Sequence, residues 1–308
     1  SHQHHVLSNT WSARDQYTLV IHDSTELEYT KRESLEDLGM IGNGYRKGFI
    51  AHHSLVVCPE TGATLGLANQ ILHRRQPRPK KETEKQRRQR QSRESRLWVR
   101  GAAALPSNRK LVDVCDRGAD TIEFLRMETE GGRTFVIRSS QNRNCYWTSE
   151  AVTDCPDQKL HDYARTLPEL GGWQLEVNKK TEKKSPNRKG KKVKVTRSKR
   201  TATMAVSAGV VQFPLSKKKR PDTISMSIVR VWEVSPPEGE EPMEWFLLTN
   251  HDVSCFEEAY RVAAWYERRW VVEEYHKALK TGINIEAFQF TSTSRLEPAI
   301  ALLSIVAI

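Results

Sequence analysis

An α/β fold is what the sequence predicts, on three observations. Strand-like and helical runs alternate over residues 17–138; strand-like runs alone recur over about 145–250; helical character returns from Cys255 to Ile308. The first run, Tyr17-Thr-Leu-Val-Ile-His-Asp23, is crowded with β-branched and large apolar side chains and reads as a buried strand ending on an acid. Residues 47–57 and 63–72 repeat that character around Pro59 and Gly62, as in a hairpin, so three antiparallel strands open the domain. Lys80 to Ala104 holds no Gly or Pro before Gly101 and is rich in Glu, Gln, Arg and Lys, which predicts a charged helix. Lys110 to Glu123 reads as a strand closing on Asp116, a turn at Gly118 and a helix capped by Asp120 with Glu123 three residues on. Thr134 to Arg138 is another short strand. The predicted insertion has strands at 202–213, 224–234 and 245–249, and a last apolar helix is expected over 296–308.

Composition narrows the function classes. In 308 residues no apolar run reaches the roughly 18 that a membrane span needs, and the start Ser1-His-Gln-His-His5 lacks the apolar stretch of a secretory signal. Five scattered cysteines without paired short spacing speak against a structural zinc or a disulfide framework, and a reducing cytoplasm is expected. The net charge of +11 is uneven: residues 179–220 hold +15 and residues 74–100 hold +9, leaving −13 on the rest. Two basic segments on an acidic body suit a grip on phosphate backbones, since Lys and Arg release condensed counterions on binding; solvated tracts are the plainer alternative.

The most informative stretch is Tyr266 to Lys280. At about 100° per residue Tyr266, Arg269, Glu273 and Lys280 fall within a stripe roughly 60° wide, with Trp270 and Lys277 at its flanks and Glu274 turned away. One acid, two bases and a phenol on one helix face do not suit an apolar core. Asp23 and Asp116, each closing a strand, add two more oxygen donors of the kind hard divalent cations take. Asp113 and Asp120 compete with Asp116, but Asp113 points to the other strand face and Asp120 is given a capping role. His22 and His276 adjoin the proposed ligands without a required part.

The spacing Tyr266-x2-Arg269-x3-Glu273-x6-Lys280 resembles the YREK signature of bacterial DDE transposases of the IS-four family, Tn-five type. Asp23-Ser-Thr resembles that family's first-aspartate motif and Val114-Cys-Asp116-Arg-Gly-Ala-Asp120 its second. Phe135-Val-Ile-Arg138-Ser and Glu244-Trp245-Phe-Leu-Leu-Thr249 resemble two further blocks, and the likeness covers nearly the whole chain. The resemblance implies an RNase H-like mixed sheet flanked by helices over residues 10–308, with a β-rich, Lys/Arg-rich subdomain inserted over 145–250. It implies Asp23, Asp116 and Glu273 as ligands of Mg2+, replaceable by Mn2+, with two ions expected. It makes Tyr266, Arg269, Lys280 and Arg138 the grip on phosphates of double-stranded DNA, and Trp245 the stacking platform for a flipped base. The activity implied is cut-and-paste transposition by nicking, hairpin formation and strand transfer, by a homodimer at the nucleoid. The family's N-terminal end-binding and C-terminal dimerisation modules are expected to be absent. Two rival readings are an RNase H-like nuclease or resolvase without strand transfer, and a domesticated non-catalytic DNA-binding protein.

Overall fold

The computed structural model describes residues 2, 5–6, 17–77, 79–107, 110–146, 158–183, 194–215, 222–240 and 242–308. The chain divides into two compact units: residues 1–137 with 264–308, and residues 138–263.

In the first unit β1 (Thr18–Glu28) lies between two longer-range partners. One is β3 (Arg46–Val57), antiparallel from Leu19↔Val57 to Glu28↔Gly48; the other is β5 (Leu111–Cys115), parallel from Thr18↔Leu111 to His22↔Cys115. The short β2 (Gly39–Ile41) and β4 (Thr64–His73) both pair antiparallel with β3, and β6 (Thr134–Arg138) pairs parallel with β5. Asp23 does not end its strand, as the sequence suggests. Pairing with β3 runs five residues further, because Leu27 has a core to enter.

Side chains two apart on a strand share a face, so the sheet has two distinct sides. The odd positions Leu27, Phe49 and Ala51 join Leu279, Ile285, Leu296 and Ile300 in one apolar cluster. Even positions Val20 and Val56 join Ala68, Leu105 and Leu111 in another. Each fully buried Val, Leu, Ile or Phe side chain among them stabilises the fold by about 1.5–3 kcal/mol.

The charged helix expected over 80–104 is broken. α1 (Glu84–Gln89) opens on a complete capping box, with Thr83 accepting from the backbone of Gln86 and Gln86 reaching back, and it ends at Arg90 in extended backbone. A 3-10 turn at Glu94–Arg96 leads into α2 (Leu97–Ala103), whose buried face is Leu97, Trp98, Gly101 and Ala102. Apolar residues are available to anchor only the second piece. After β5 a 3-10 turn (Arg117–Ala119) precedes α3 (Ile122–Glu130), and Thr121, not Asp120, caps α3 by accepting from Phe124 N–H at 3.2 Å.

The second unit is mostly strand. Besides the short pair β7 (Asn144–Cys145) and β8 (Gln158–Lys159), it contains α4 (Leu160–Thr166), where the sequence suggests only polar loop, β9 (Gly171–Val177), and the hairpin β10 (Lys180–Lys183) and β11 (Lys194–Arg197). β12 (Arg200–Pro214), β13 (Thr223–Glu233) and β14 (Glu244–Thr249) follow, and antiparallel pairing gives the order β14-β13-β12-β9. Of the lysine-rich tract expected to grip DNA over 179–220, residues 184–193 and 216–221 lie outside the described residues.

The chain returns through α5 (Phe256–Glu267) to the first unit. The single regular helix assumed for the polar stripe is four elements in succession: the end of α5, which holds Tyr266, a 3-10 turn at Arg268–Trp270, α6 (Val271–Lys277) and a π turn at Ala278–Gly282. Arg268 anchors the 3-10 turn by donating to the carbonyls of Pro59 (2.9 Å) and Glu60 (2.7 Å). α7 (Thr293–Val306) then buries Leu296 and Ile300. No helix of the described residues is long and apolar enough to cross a membrane.

Candidate active site

Strand register brings the two aspartates together. His22 of β1 pairs with Cys115 of the parallel β5, so the next residues along the two strands are Asp23 and Asp116. Adjacent strands lie about 4.8 Å apart, which leaves two carboxylates competing for one space. Asp116 is held by the turn it starts, its Oδ1 accepting from Gly118 N–H at 2.8 Å. Asp23 Oδ1 accepts from Ser24 N–H at 2.7 Å.

Glu273 arrives from α6 on the same side, through Arg269. The guanidinium donates to Asp23 Oδ2 at 2.9 Å and to Glu273 Oε1 at 2.5 Å, bridging strand and helix. Burial pushes the Asp23 carboxyl up to about 6, and Asp116 adds repulsion; Arg269 and the Ser24 N–H oppose the rise, and Glu273 adds to it. Asp23 and Glu273 share one arginine while Asp116 repels Asp23, which leaves these acids short of positive charge. Burial works against the charge of Arg269, but the bond to Glu273 and the nearby Tyr266 and Asp23 keep it firmly protonated.

The donor chemistry fits a divalent cation such as Mg2+: three carboxylates offer only hard oxygen atoms, and their mutual repulsion is what a cation would relieve. The expected convergence of all three on one ion position is not met. Among the described residues no three acidic, histidine or cysteine side chains are close enough together to hold one ion, since the Arg269 guanidinium lies between Asp23 and Glu273.

The other predicted residues fall at varied depths. Tyr266 is buried near Arg269. Lys280, on the π turn, donates to the carbonyl of Glu26 at 2.8 Å and lies 3.5 Å from the Glu286 carboxylate. Trp270 and Lys277 are exposed, as is Glu274. Arg138 ends β6 and Trp245 is the second residue of β14; both are half-buried and both belong to the second unit.

A polar network behind the aspartates was not foreseen. Asp113, fully buried, receives Arg133 through two bonds of 2.7 and 2.9 Å and lies 2.7 Å from His22 Nε2. His22 Nδ1 meets Ser54 Oγ at 3.0 Å, and Ser24 Oγ meets His52 Nδ1 at 2.9 Å. On the odd-numbered side His53 pairs with His276 of α6 at 3.1 Å, and Gln70 ties His53 to Ser304 of α7. The signal was present as polar residues interrupting apolar strands at matched register positions: His22↔Ser54, Asp23↔His53 and Ser24↔His52.

The model of one protein family, the transposase DDE domain, matches residues 14–308. The chain belongs to that family. Transposase DDE domains act on DNA, and membership of the family implies nuclease and transposition activity. The mixed sheet with flanking helices is compatible with the RNase H-like fold of a transposase.

Proposed function

We propose that this transposase domain is of the IS-four, Tn-five type and carries out Mg2+-dependent cut-and-paste transposition, with Asp23, Asp116 and Glu273 as the acidic triad. The observation that carries the reading is the bridging of Asp23 and Glu273 by Arg269, with Asp116 close enough to Asp23 to repel it, in a chain of the transposase DDE family. Two divalent ions, when bound, would activate an attacking water or 3′-OH and stabilise the leaving oxygen of a phosphodiester. The chain's own residues do the rest. Asp23 on β1 and Asp116, one residue past the end of the parallel β5, would supply neighbouring ligands, and Glu273 is tied to Asp23 through Arg269. Arg269, Lys280 and Tyr266 would hold the phosphates of the strand being cut, with Trp270 and Lys277 on the exposed flank. Arg138 would add a phosphate contact, and Trp245 a stacking surface worth about 1–3 kcal/mol for a base extruded when the DNA bends into a hairpin. A homodimer bridging two DNA ends is part of the same reading.

The test is incubation of the full chain with Mg2+ or Mn2+ and a library of DNA ends, comparing the wild type with Glu273→Ala. Nicked, hairpin and joined products are expected from the wild type alone. Equal behaviour of the two proteins would remove the triad assignment, and nicks without joined products would make the protein a nuclease.

A further inference from the structure

A cavity of about 600 Å³ opens in the first unit, and none of the triad carboxylates lines it. Among the described residues Arg75, Arg87, Arg90 and Arg93 line it against a single carboxylate, Glu94. Glu94 is already engaged by Arg75 at 2.7 Å, and Arg90 lies 2.9 Å from Glu82, outside the lining. Such a wall attracts anions and offers an apolar ligand little.

Two further observations are independent of the arginines. Trp98 lines the cavity and is nine-tenths buried, yet its indole Nε1 has no hydrogen-bond partner among the described residues. An indole N–H can only donate, and a buried donor left unmatched is costly, so the position favours an acceptor. His73, also buried and on the lining, has an Nε2 with no partner among the described residues. The cavity also touches Gly118, whose N–H holds Asp116. A Cβ at Gly118 would come within 2.3 Å of the Trp98 ring, so glycine keeps indole and aspartate turn in contact. Whatever fills the cavity lies against the turn that sets a candidate catalytic residue.

We propose that this cavity seats a backbone phosphate segment of the DNA, the arginines neutralising its charge and the Trp98 N–H donating to a phosphate oxygen. The break between α1 and α2 turns the chain so that Arg87, Arg90 and Arg93 line one hollow. The assignment rests on the transposase reading for its choice of DNA, but its test does not depend on cleavage.

Binding of a fluorescein-labelled DNA duplex to the full chain is followed by anisotropy in EDTA over a range of salt. Arg87→Ala/Arg93→Ala should weaken binding roughly tenfold or more at about 0.15 M salt and lower the slope of log K against log[salt] by about 2, near 0.9 for each phosphate no longer neutralised. Lys80→Ala/Lys81→Ala, equal in charge change but outside the cavity lining, should alter the slope less. An unchanged slope in the arginine variant, or an equal drop in both, overturns the proposal. Trp98→Phe identifies the Trp98 indole N–H signal in a proton–nitrogen spectrum, with thermal unfolding as the check that it folds. That signal should shift on adding DNA and stay in place with inorganic phosphate at the same phosphate concentration. A shift with phosphate alone would make the cavity a free-anion site, and no shift with DNA would remove Trp98 from the contact. Because no divalent cation is present, a DNA-responsive cavity in a protein that never cuts would sink the triad and spare this site.

Discussion

Asp113 and Asp23 stand on neighbouring strands of one sheet yet are opposite kinds of acid. Asp113, on β5, is fully buried and fully matched: Arg133 donates to it twice and His22 lies 2.7 Å away. Burial works against its charge, but these partners hold its carboxyl below the usual range. Glu128, 3.3 Å from the same arginine, is pushed well up, by burial first and then by Asp113. Asp23, on β1, shares one arginine with Glu273 and faces Asp116, and its carboxyl rises to about 6. Partner supply thus separates a structural acid from a candidate catalytic one. A matched acid holds the fold; acids crowded together with too little positive charge are held ready for something else.

The largest effect that would expose this division is on activity. Glu273→Ala should lower divalent-ion-dependent DNA cleavage at least roughly a thousandfold, about 4 kcal/mol of transition-state stabilisation, without lowering the unfolding temperature. A cleavage assay paired with thermal unfolding checks both halves. Asp113→Ala should do the reverse, costing about 3–5 kcal/mol of stability in urea unfolding because Arg133 is left buried without its carboxylate. A mild loss there would mean that Asp113 is not the structural member of the pair.

A pH effect of middling size comes from the histidines beside α6. Burial, then the charges of Lys280 and Arg269, push His276 down to about 4, and burial pushes His53 well down too. Each takes a proton more readily when unfolded. Their stabilisation is therefore complete above about pH 6.5 and is lost as pH falls toward 4, about 3 kcal/mol for His276. His276→Gln should flatten that part of the stability curve, as read from urea midpoints at about pH 7.5 and 5, either side of the unfolded histidine value. The smallest effect belongs to Glu274, next to Glu273 but exposed: Glu274→Ala should change stability by no more than about 0.5 kcal/mol and leave cleavage intact.

Much of this was legible in the chain. β-branched runs marked β1, β3 and β4, and the spacing of Tyr266, Arg269, Glu273 and Lys280 pointed to a transposase before any geometry. Periodicity failed where local structure departs from one period. The helical stretch from Tyr266 to Gly282 changes from α to 3-10, back to α and then to π, so a constant turn of about 100° per residue misplaces its faces, and Tyr266 is buried while Trp270 is exposed. Asp23 looked like a strand end because an acid follows an apolar run, but β3 continues beside β1 to Glu28. Asp120 looked like a cap by its spacing to Glu123, and Thr121 takes the role one residue later. The His22–Asp113–Arg133 network depends on partners 91 and 20 residues apart, which no local pattern encodes.

That Asp23, Asp116 and Glu273 form one divalent-cation site can be decided by thermal unfolding of the full chain with and without Mn2+. A ligand that binds only the folded state raises its stability in proportion to the logarithm of ligand concentration. Mn2+ should raise the unfolding temperature of the wild type and of Glu274→Gln, and Glu273→Gln should lose most of that rise. An equal rise in Glu273→Gln would contradict the shared site.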